Sequence, residues 1–218
     1  MGEVILITGG AKSGKSLFAE RLAGAFGSHV VYVATAEILD AEMETRVSRH
    51  RARRPAMWAT VEAPLDLRGA LAAVPPSAGV VLVDCLTIWT SNWLLALREP
   101  DTAGWWDAID TVQEGLFAHL GAISTQARAA QWHLVLVTNE VGNGVVPDTP
   151  LGRAFCDLLG AVNQRAGMLS DAMFLVVAGV GTELKRTAVE PGEYARMVKS
   201  RYQASASSGE RSSDGQNS

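Results

Sequence analysis

The sequence predicts a single α/β domain of the phosphate-loop NTPase type, a parallel sheet with helices on both faces. Two observations carry that prediction and a third supports it. Five short runs rich in Val, Ile and Leu, without strict alternation, are separated by segments of helical periodicity, as in a sheet buried on both faces. The first run stops at two glycines and opens the series Gly9-x-x-x-x-Gly14-Lys15-Ser16, which satisfies the phosphate-loop pattern G-x-x-x-x-G-K-[ST] in full. A later run, Val80 to Val83, closes on Asp84, a carboxylate at the strand end where such proteins hold Mg²⁺. With 218 residues, 48% of them hydrophobic, the chain is long enough to bury one substantial core.

The buried strands are expected at Val4 to Thr8, Val30 to Ala34, Val80 to Asp84, Leu134 to Thr138 and Phe174 to Ala178. Helices are expected at Lys15 to Phe26, Ala41 to about Ala52, Leu65 to Ala73, Leu86 to Leu97, Trp105 to about Ala130 and Leu151 to Met168. Asp40 can cap the second of these, and Pro55 bars its continuation. Because strand and helix alternate, the crossovers are right-handed and ligands belong at the carboxyl ends of the strands. No internal repeat or interdomain linker interrupts the series. The nucleotide-binding domain is set at residues 1–187 and a C-terminal extension at 188–218. From Gln203 onward no large apolar residue remains, so 203–218 is expected to be disordered.

A loop that wraps a polyphosphate turns its backbone N–H groups inward through dihedrals that side chains hinder, which accounts for Gly9, Gly10 and Gly14. Ala11, Lys12 and Ser13 complete the loop. From Lys15 the chain enters a helix whose free N-terminal N–H groups and positive dipole end attract an anion. Lys15 is read as reaching the outer phosphates and Ser16 as a ligand of Mg²⁺, with a nucleoside triphosphate as the bound species. Two readings of Asp84 stand: a Mg²⁺ ligand, or the N-cap of the helix that begins at Leu86.

The second helix carries its acids early and its arginines late, as the dipole prefers: Arg46, Arg49, Arg51, Arg53 and Arg54. Such an end is either a solvated, dipole-matched surface or a clamp for a second polyphosphate. His50 shares a helical stripe with Met43 and Val47, so it can face inward. Neighbouring cations disfavour the imidazolium and leave a neutral ring able to attack phosphorus, although a structural histidine presents the same pattern. Asn139 and Glu140 close the fourth strand before Gly142-Asn143-Gly144, a ligand-facing place in this topology. Glu140 is a base for a substrate hydroxyl or a turn carboxylate held by backbone N–H groups. Trp89 with Trp93, and Trp105 with Trp106, form an apolar shelf, a subunit contact or part of the core. His29, His119 and His133 have no metal-ligand spacing.

Taken together these residues resemble the bifunctional adenosylcobinamide kinase / adenosylcobinamide-phosphate guanylyltransferase family of cobalamin biosynthesis. The matching stretches are Thr8 to Ser16, Tyr32 to Ala36, His50-Arg51 with Arg54-Pro55 and Trp58, and Thr60 to Glu62. Further along come Asp84 to Thr87, Val137 to Gly142 with Gly144 and Val146-Pro147, and Val162 to Arg165. The loop alone is common to many families; the loop, His-Arg-x-x-Arg-Pro and Thr-Asn-Glu-Val-Gly in this order are specific. The resemblance implies phosphorylation of the aminopropanol hydroxyl of adenosylcobinamide by ATP or GTP. Transfer of GMP from GTP onto adenosylcobinamide phosphate follows, giving adenosylcobinamide-GDP and pyrophosphate. It also implies that His50 carries GMP as a covalent phosphoramidate and that the protein is a homotrimer. Thr35, Ala36, Glu37, Arg51, Ala52, Arg53, Arg54, Glu62 and Asp84 then join the loop in binding nucleotide. Some relatives carry paired histidines where this chain has Arg49-His50, and relatives commonly end soon after the stretch matching Gly179 to Lys185.

A formal charge of −4 and a pI near 5.6 argue against a nucleic-acid binder whose whole surface is basic. The two cysteines, Cys85 and Cys156, are far apart and indicate neither a disulfide framework nor a zinc site. There is no basic leader, and no apolar run approaches the ~18 residues of a membrane span, so a soluble cytoplasmic enzyme is expected. Two rival functions follow from the same residues. One is a simple small-molecule kinase without a covalent intermediate; the other is a nucleotide-dependent switch that uses the arginine helix as a nucleic-acid surface.

Overall fold

Seven strands form one sheet among the described residues, which are 2–37, 41–97 and 103–209 of a computed structural model. The strands are β1 (Val4–Thr8), β2 (Val30–Ala34), β3 (Ala59–Glu62), β4 (Val80–Asp84), β5 (His133–Val137), β6 (Ala172–Val177) and β7 (Val180–Glu183). They lie in the order β3-β2-β4-β5-β1-β6-β7. Every neighbouring pair is parallel except β6 and β7, which are antiparallel. The helices are α1 (Lys15–Phe26), α2 (Ala41–Arg53), α3 (Leu67–Ala72), α4 (Leu86–Leu95), α5 (Trp105–Ala130), α6 (Pro150–Leu169) and α7 (Pro191–Gly209).

Strand order decides which face each helix covers. The chain moves in one direction across the sheet from β1 to β2 to β3, then reverses through β4 and β5 to β6. Right-handed crossovers therefore put α1 and α2 on one face and α3, α5 and α6 on the other. The core divides accordingly. Val4, Leu6, Val81, Val83, Leu134 and Leu136 pack with Leu67, Leu116, Leu120 and Leu158 from the second set of helices. Ile5, Ile7, Tyr32, Leu82, Val135 and Val137 turn the opposite way and pack with Ala19 and Ala23 of α1 and with Trp58. Side chains of successive strand residues alternate between faces, so both periods of a sheet buried on two sides are filled. The consequence for function is that α2 arrives on the same face as the helix that leaves the phosphate loop.

Several expected boundaries move, for local reasons. Asp66 Oδ1 accepts from Gly69 N at 2.8 Å, so α3 starts at Leu67 rather than Leu65. Thr149 Oγ1 accepts from Gly152 N at 3.1 Å and starts α6 at Pro150. The fourth expected strand slips by one residue to His133–Val137, and the fifth begins at Ala172. Strands β3 and β7 are additions to the five expected, both only four residues long. The expected cap Asp40 lies outside the described residues. No helix of the described residues is long and apolar enough to cross a membrane.

By backbone contacts the chain divides into two units, Met1–Leu184 and Lys185–Ser218. In the second unit α7 runs through residues 203–209, where the sequence led us to expect no order; Ala and Ser in that stretch tolerate a helix well. Residues 210–218 lie outside the described residues.

Candidate active site

At the end of β1 the backbone bends in ways only some residues allow. Gly9 has φ 155°, and a Cβ there would run into the carbonyl of Val176. Gly14 has φ 94°, and a Cβ there would lie 3.0 Å from Gly179 Cα. Gly10 differs: it is not among the residues of positive φ, and an added Cβ would meet nothing within 4 Å. What Gly10 contributes is its carbonyl, which accepts from Lys15 Nζ at 3.1 Å and from Ser13 N at 3.2 Å. The β6–β7 turn braces the loop, with Gly179 N donating to Ser13 O at 2.8 Å. No side chain caps the first turn of α1, which leaves its N–H groups to an anion. Lys15 is buried; burial lowers its pKa, while Cys85 and Asp84 act in the other direction. Ser13 Oγ is buried without a hydrogen-bond partner.

Asp84 stands at the end of β4 on the α1 face. It does not cap α4, whose N-cap is Cys85. Its Oδ2 accepts from Tyr32 Oη at 3.1 Å. The Tyr32 ring lies under the guanidinium of Arg54, Cζ being 3.5 Å from the ring centroid, and Arg54 Nε donates to His50 O at 3.0 Å. Arg53 Nη2 lies 3.2 Å from His50 Nδ1. A guanidinium only donates, so Nδ1 is the acceptor and the ring proton sits on Nε2. Burial lowers the His50 pKa; Asp84 acts to raise it, and Arg53 and Arg54 push it down again. The ring is thus held neutral, as a nucleophile requires. Glu20 of α1 completes the group: it is buried, its Oε1 lies 3.6 Å from Arg53 Nη2, and burial raises its pKa against the pull of Arg53 and Arg54.

On the other side of β4, a chain of hydrogen bonds fixes the end of β5. Thr138 Oγ1 donates to Asn163 Oδ1 at 2.6 Å, Asn163 Nδ2 to Asn139 O at 2.9 Å, and Asn139 N to Thr87 Oγ1 at 2.7 Å. Asn139 Oδ1 is left buried and unpartnered. Glu140 N donates to Gly9 O at 3.1 Å, which ties this turn to the phosphate loop. The Glu140 carboxylate accepts from Gly142 N at 3.1 Å, the turn-carboxylate reading.

Comparison with known proteins now decides the family. Residues 5–184 match the family described as cobinamide kinase / cobinamide phosphate guanyltransferase. The chain belongs to that family. It is 38% identical over 182 residues to the bifunctional adenosylcobalamin biosynthesis protein CobU of Salmonella typhimurium, covering 84% of this chain and 99% of that one. It is 41% identical over 180 residues to the bifunctional adenosylcobalamin biosynthesis protein CobP of Pseudomonas aeruginosa, covering 83% and 96%. Among solved structures, the flagellar accessory protein FlaH from Methanocaldococcus jannaschii matches with a TM-score of 0.39 at 12% identity, covering 84% of this chain and 76% of that one, a likeness too slight to bear on function.

For a cobinamide kinase / cobinamide phosphate guanyltransferase, the remaining nucleotide candidates fall into two groups. Lys15, Asp84, His50, Arg53 and Arg54 come together on one face. Arg51 and Glu62 instead form an exposed pair at 3.6 Å, worth about 0–1 kcal/mol. Arg49 and Ala52 are exposed, and the side chains of Met43 and Arg46 lie outside the described residues. Thr35 is fully buried; its hydroxyl donates to Cys85 O and accepts from Cys85 N, both at 2.8 Å, and so supports the start of α4. Ala36 is half-buried and Glu37 exposed.

Trp89 is core, with Nε1 donating to Leu65 O at 2.8 Å; Trp93 packs against the same cluster, Trp105 is buried and Trp106 is 54% exposed. Both cysteines are free, and burial pushes the Cys85 thiol up to about 11.

Sequence reasoning missed three contributors: Tyr32, Glu20 and the β6–β7 turn. Each left a partial signal: Glu20 is an acid on the buried stripe that Ala19 and Ala23 mark on α1, while Tyr32 and the turn at Gly179 fall in stretches that match the family without showing a role.

The donors present fit a magnesium ion carried with a nucleotide. Ser16 and Asp84 offer hard oxygen ligands, and no cluster of three His, Cys, Asp or Glu among the described residues could cage a metal alone. Mg²⁺ takes few protein ligands and keeps water and phosphate oxygens, which suits such a sparse set. Bound there it would neutralise phosphate charge.

Proposed function

We infer that this chain phosphorylates adenosylcobinamide with ATP or GTP and then moves GMP from GTP through His50 onto adenosylcobinamide phosphate. One observation carries the reading: α2 brings a neutral imidazole, flanked by Arg53 and Arg54, to the same face as Lys15 and Asp84. A simple kinase has no use for such a ring. In this reading the triphosphate lies in the phosphate loop with Lys15 at its outer phosphates. Arg53 exchanges His50 Nδ1 for a phosphate oxygen, and the ring is free to attack the α-phosphorus. A nitrogen–phosphorus bond forms, the α–β phosphoanhydride bond breaks, and pyrophosphate leaves with the bonding pair. The ring then gives up its remaining N–H proton. In the second step the ring takes a proton back on that nitrogen, a phosphate oxygen of adenosylcobinamide phosphate attacks the same phosphorus, the nitrogen–phosphorus bond breaks and neutral imidazole departs. Arg53 and Arg54 neutralise charge on the equatorial oxygens in both steps.

The kinase step uses the same loop: the aminopropanol oxygen attacks the γ-phosphorus and loses its proton to solvent, the β–γ phosphoanhydride bond breaks, and the nucleoside diphosphate leaves with the bonding pair. As the family resemblance implies, the assembly is a homotrimer working in the cytoplasm, where nucleoside triphosphates are abundant. Incubation with adenosylcobinamide and each triphosphate, followed by mass analysis of the corrinoid, tests the reading. Adenosylcobinamide-GDP and pyrophosphate are expected; accumulation of adenosylcobinamide phosphate alone in the presence of GTP contradicts it.

A further inference from the structure

We propose that Tyr32 is a positioning residue for guanylyl transfer, joining the Asp84 carboxylate to the arginine that anchors the His50 turn. The proposal rests on the reading of His50 as nucleophile and adds a residue to it. Tyr32 sits mid-strand in β2, only 4% exposed, in register with Leu82 and so two residues short of Asp84 on the neighbouring strand. An aromatic side chain reaches such a diagonal neighbour. The phenol uses that reach on a carboxylate at the site, donating to Asp84 Oδ2 at 3.1 Å.

The phenol has a single proton to give, and it goes to Asp84 Oδ2. One carboxylate oxygen is thereby held and the orientation of the other is set. The face of the same ring carries the Arg54 guanidinium at 3.5 Å, and Arg54 in turn holds the His50 carbonyl at 3.0 Å. Arg54 Nη1 is buried with no hydrogen-bond partner, a donor kept for an anion. A tyrosine serving only as core would satisfy its hydroxyl on any backbone carbonyl and would need no cation on its face. Here a single ring ties together the acid at the end of β4 and the basic end of α2.

Two substitutions separate the two ties. Tyr32→Phe keeps the ring under Arg54 and removes the donor to Asp84; Tyr32→Leu removes both. The readouts are the single-turnover rate of His50 labelling by GTP, the Kd for GTP, and the thermal midpoint. Tyr32→Phe is expected to slow labelling about tenfold or more, the worth of one hydrogen bond to a charged group, with Kd close to wild type and a midpoint lowered by several degrees, labelling being read well below both midpoints. Tyr32→Leu is expected to slow it further, and combining it with Arg54→Met is expected to cost less than the product of the two single losses. Labelling by Tyr32→Phe at the wild-type rate overturns the proposal, as does a loss that appears wholly in Kd. If the wild-type enzyme takes up no label on His50, the parent reading falls as well, so the two failures are distinct.

Discussion

Two glycines of the phosphate loop, four residues apart, are expected to respond to alanine in opposite ways. Gly14 holds φ 94°, away from the left-handed well near +57° that an alanine tolerates, and its new Cβ would lie 3.0 Å from the backbone Cα of Gly179. Strain of that kind costs about 1–3 kcal/mol, and a carbon pair inside its normal separation of about 3.5–4.0 Å adds to it. For a chain of this length each kcal/mol moves the midpoint by about 2–4 °C, so Gly14→Ala is expected to lower it by about 5–10 °C. Gly10 is under neither constraint, since an added Cβ meets nothing within 4 Å. There alanine removes freedom from the unfolded chain and stabilises by about 0.4–1 kcal/mol, a rise of up to about 4 °C. Thermal unfolding of both variants without nucleotide measures the contrast. Equal losses at the two positions, or an unchanged midpoint for Gly14→Ala, would refute the geometric argument.

Other outcomes follow from single side chains. Lys15→Met removes a buried ammonium whose pKa is lowered by desolvation, so unliganded stability at neutral pH is expected to hold or rise. The ~2.7 kcal/mol of stabilisation from GTP at a hundred times Kd should meanwhile vanish. Differential scanning with and without GTP reads both effects. Glu20 has a folded-state pKa above its unfolded value, so its contribution is lost as pH rises through the folded pKa and is complete below the unfolded one. In urea titrations wild type should therefore gain on Glu20→Gln as pH falls from neutrality; a wild type that loses ground to the variant toward acid contradicts this. Trp89 is fully buried, so Trp89→Ala should cost about 3–5 kcal/mol in chemical denaturation, and a loss below about 1 kcal/mol would reopen the apolar-shelf reading.

The buried strands and the phosphate loop were legible because both write their requirements into residue type: Val, Ile and Leu for a sheet covered on two faces, glycine where backbone bends. Strand β3 was not, because three of its four residues are exposed and Ala59-Thr60-Val61-Glu62 offers no apolar run. Strand β7 is a short antiparallel edge of the same kind, yet its turn braces Ser13. His50 could be singled out from its stripe and its arginines, but its approach to Asp84 depends on strand order, which sequence periodicity does not encode. Tyr32 stood in a stretch that matches the family, but its role was hidden for the same reason. Its partners come from β4 and α2, elements whose neighbours are set by topology. Glycine identity also misled in one place: Gly10 fits the loop pattern with Gly9 and Gly14 but takes no special dihedral.

The central claim is that an imidazole on α2 takes up the nucleoside monophosphate. Incubation of the full-length enzyme with GTP labelled at the α-phosphorus, followed by acid and base treatment and peptide mapping, tests it directly. The account predicts an acid-labile, base-stable label on the peptide containing His50, absent from His50→Asn although that variant still binds GTP. A wild-type enzyme that makes adenosylcobinamide-GDP without ever carrying label, or that carries it on another residue, would contradict the account.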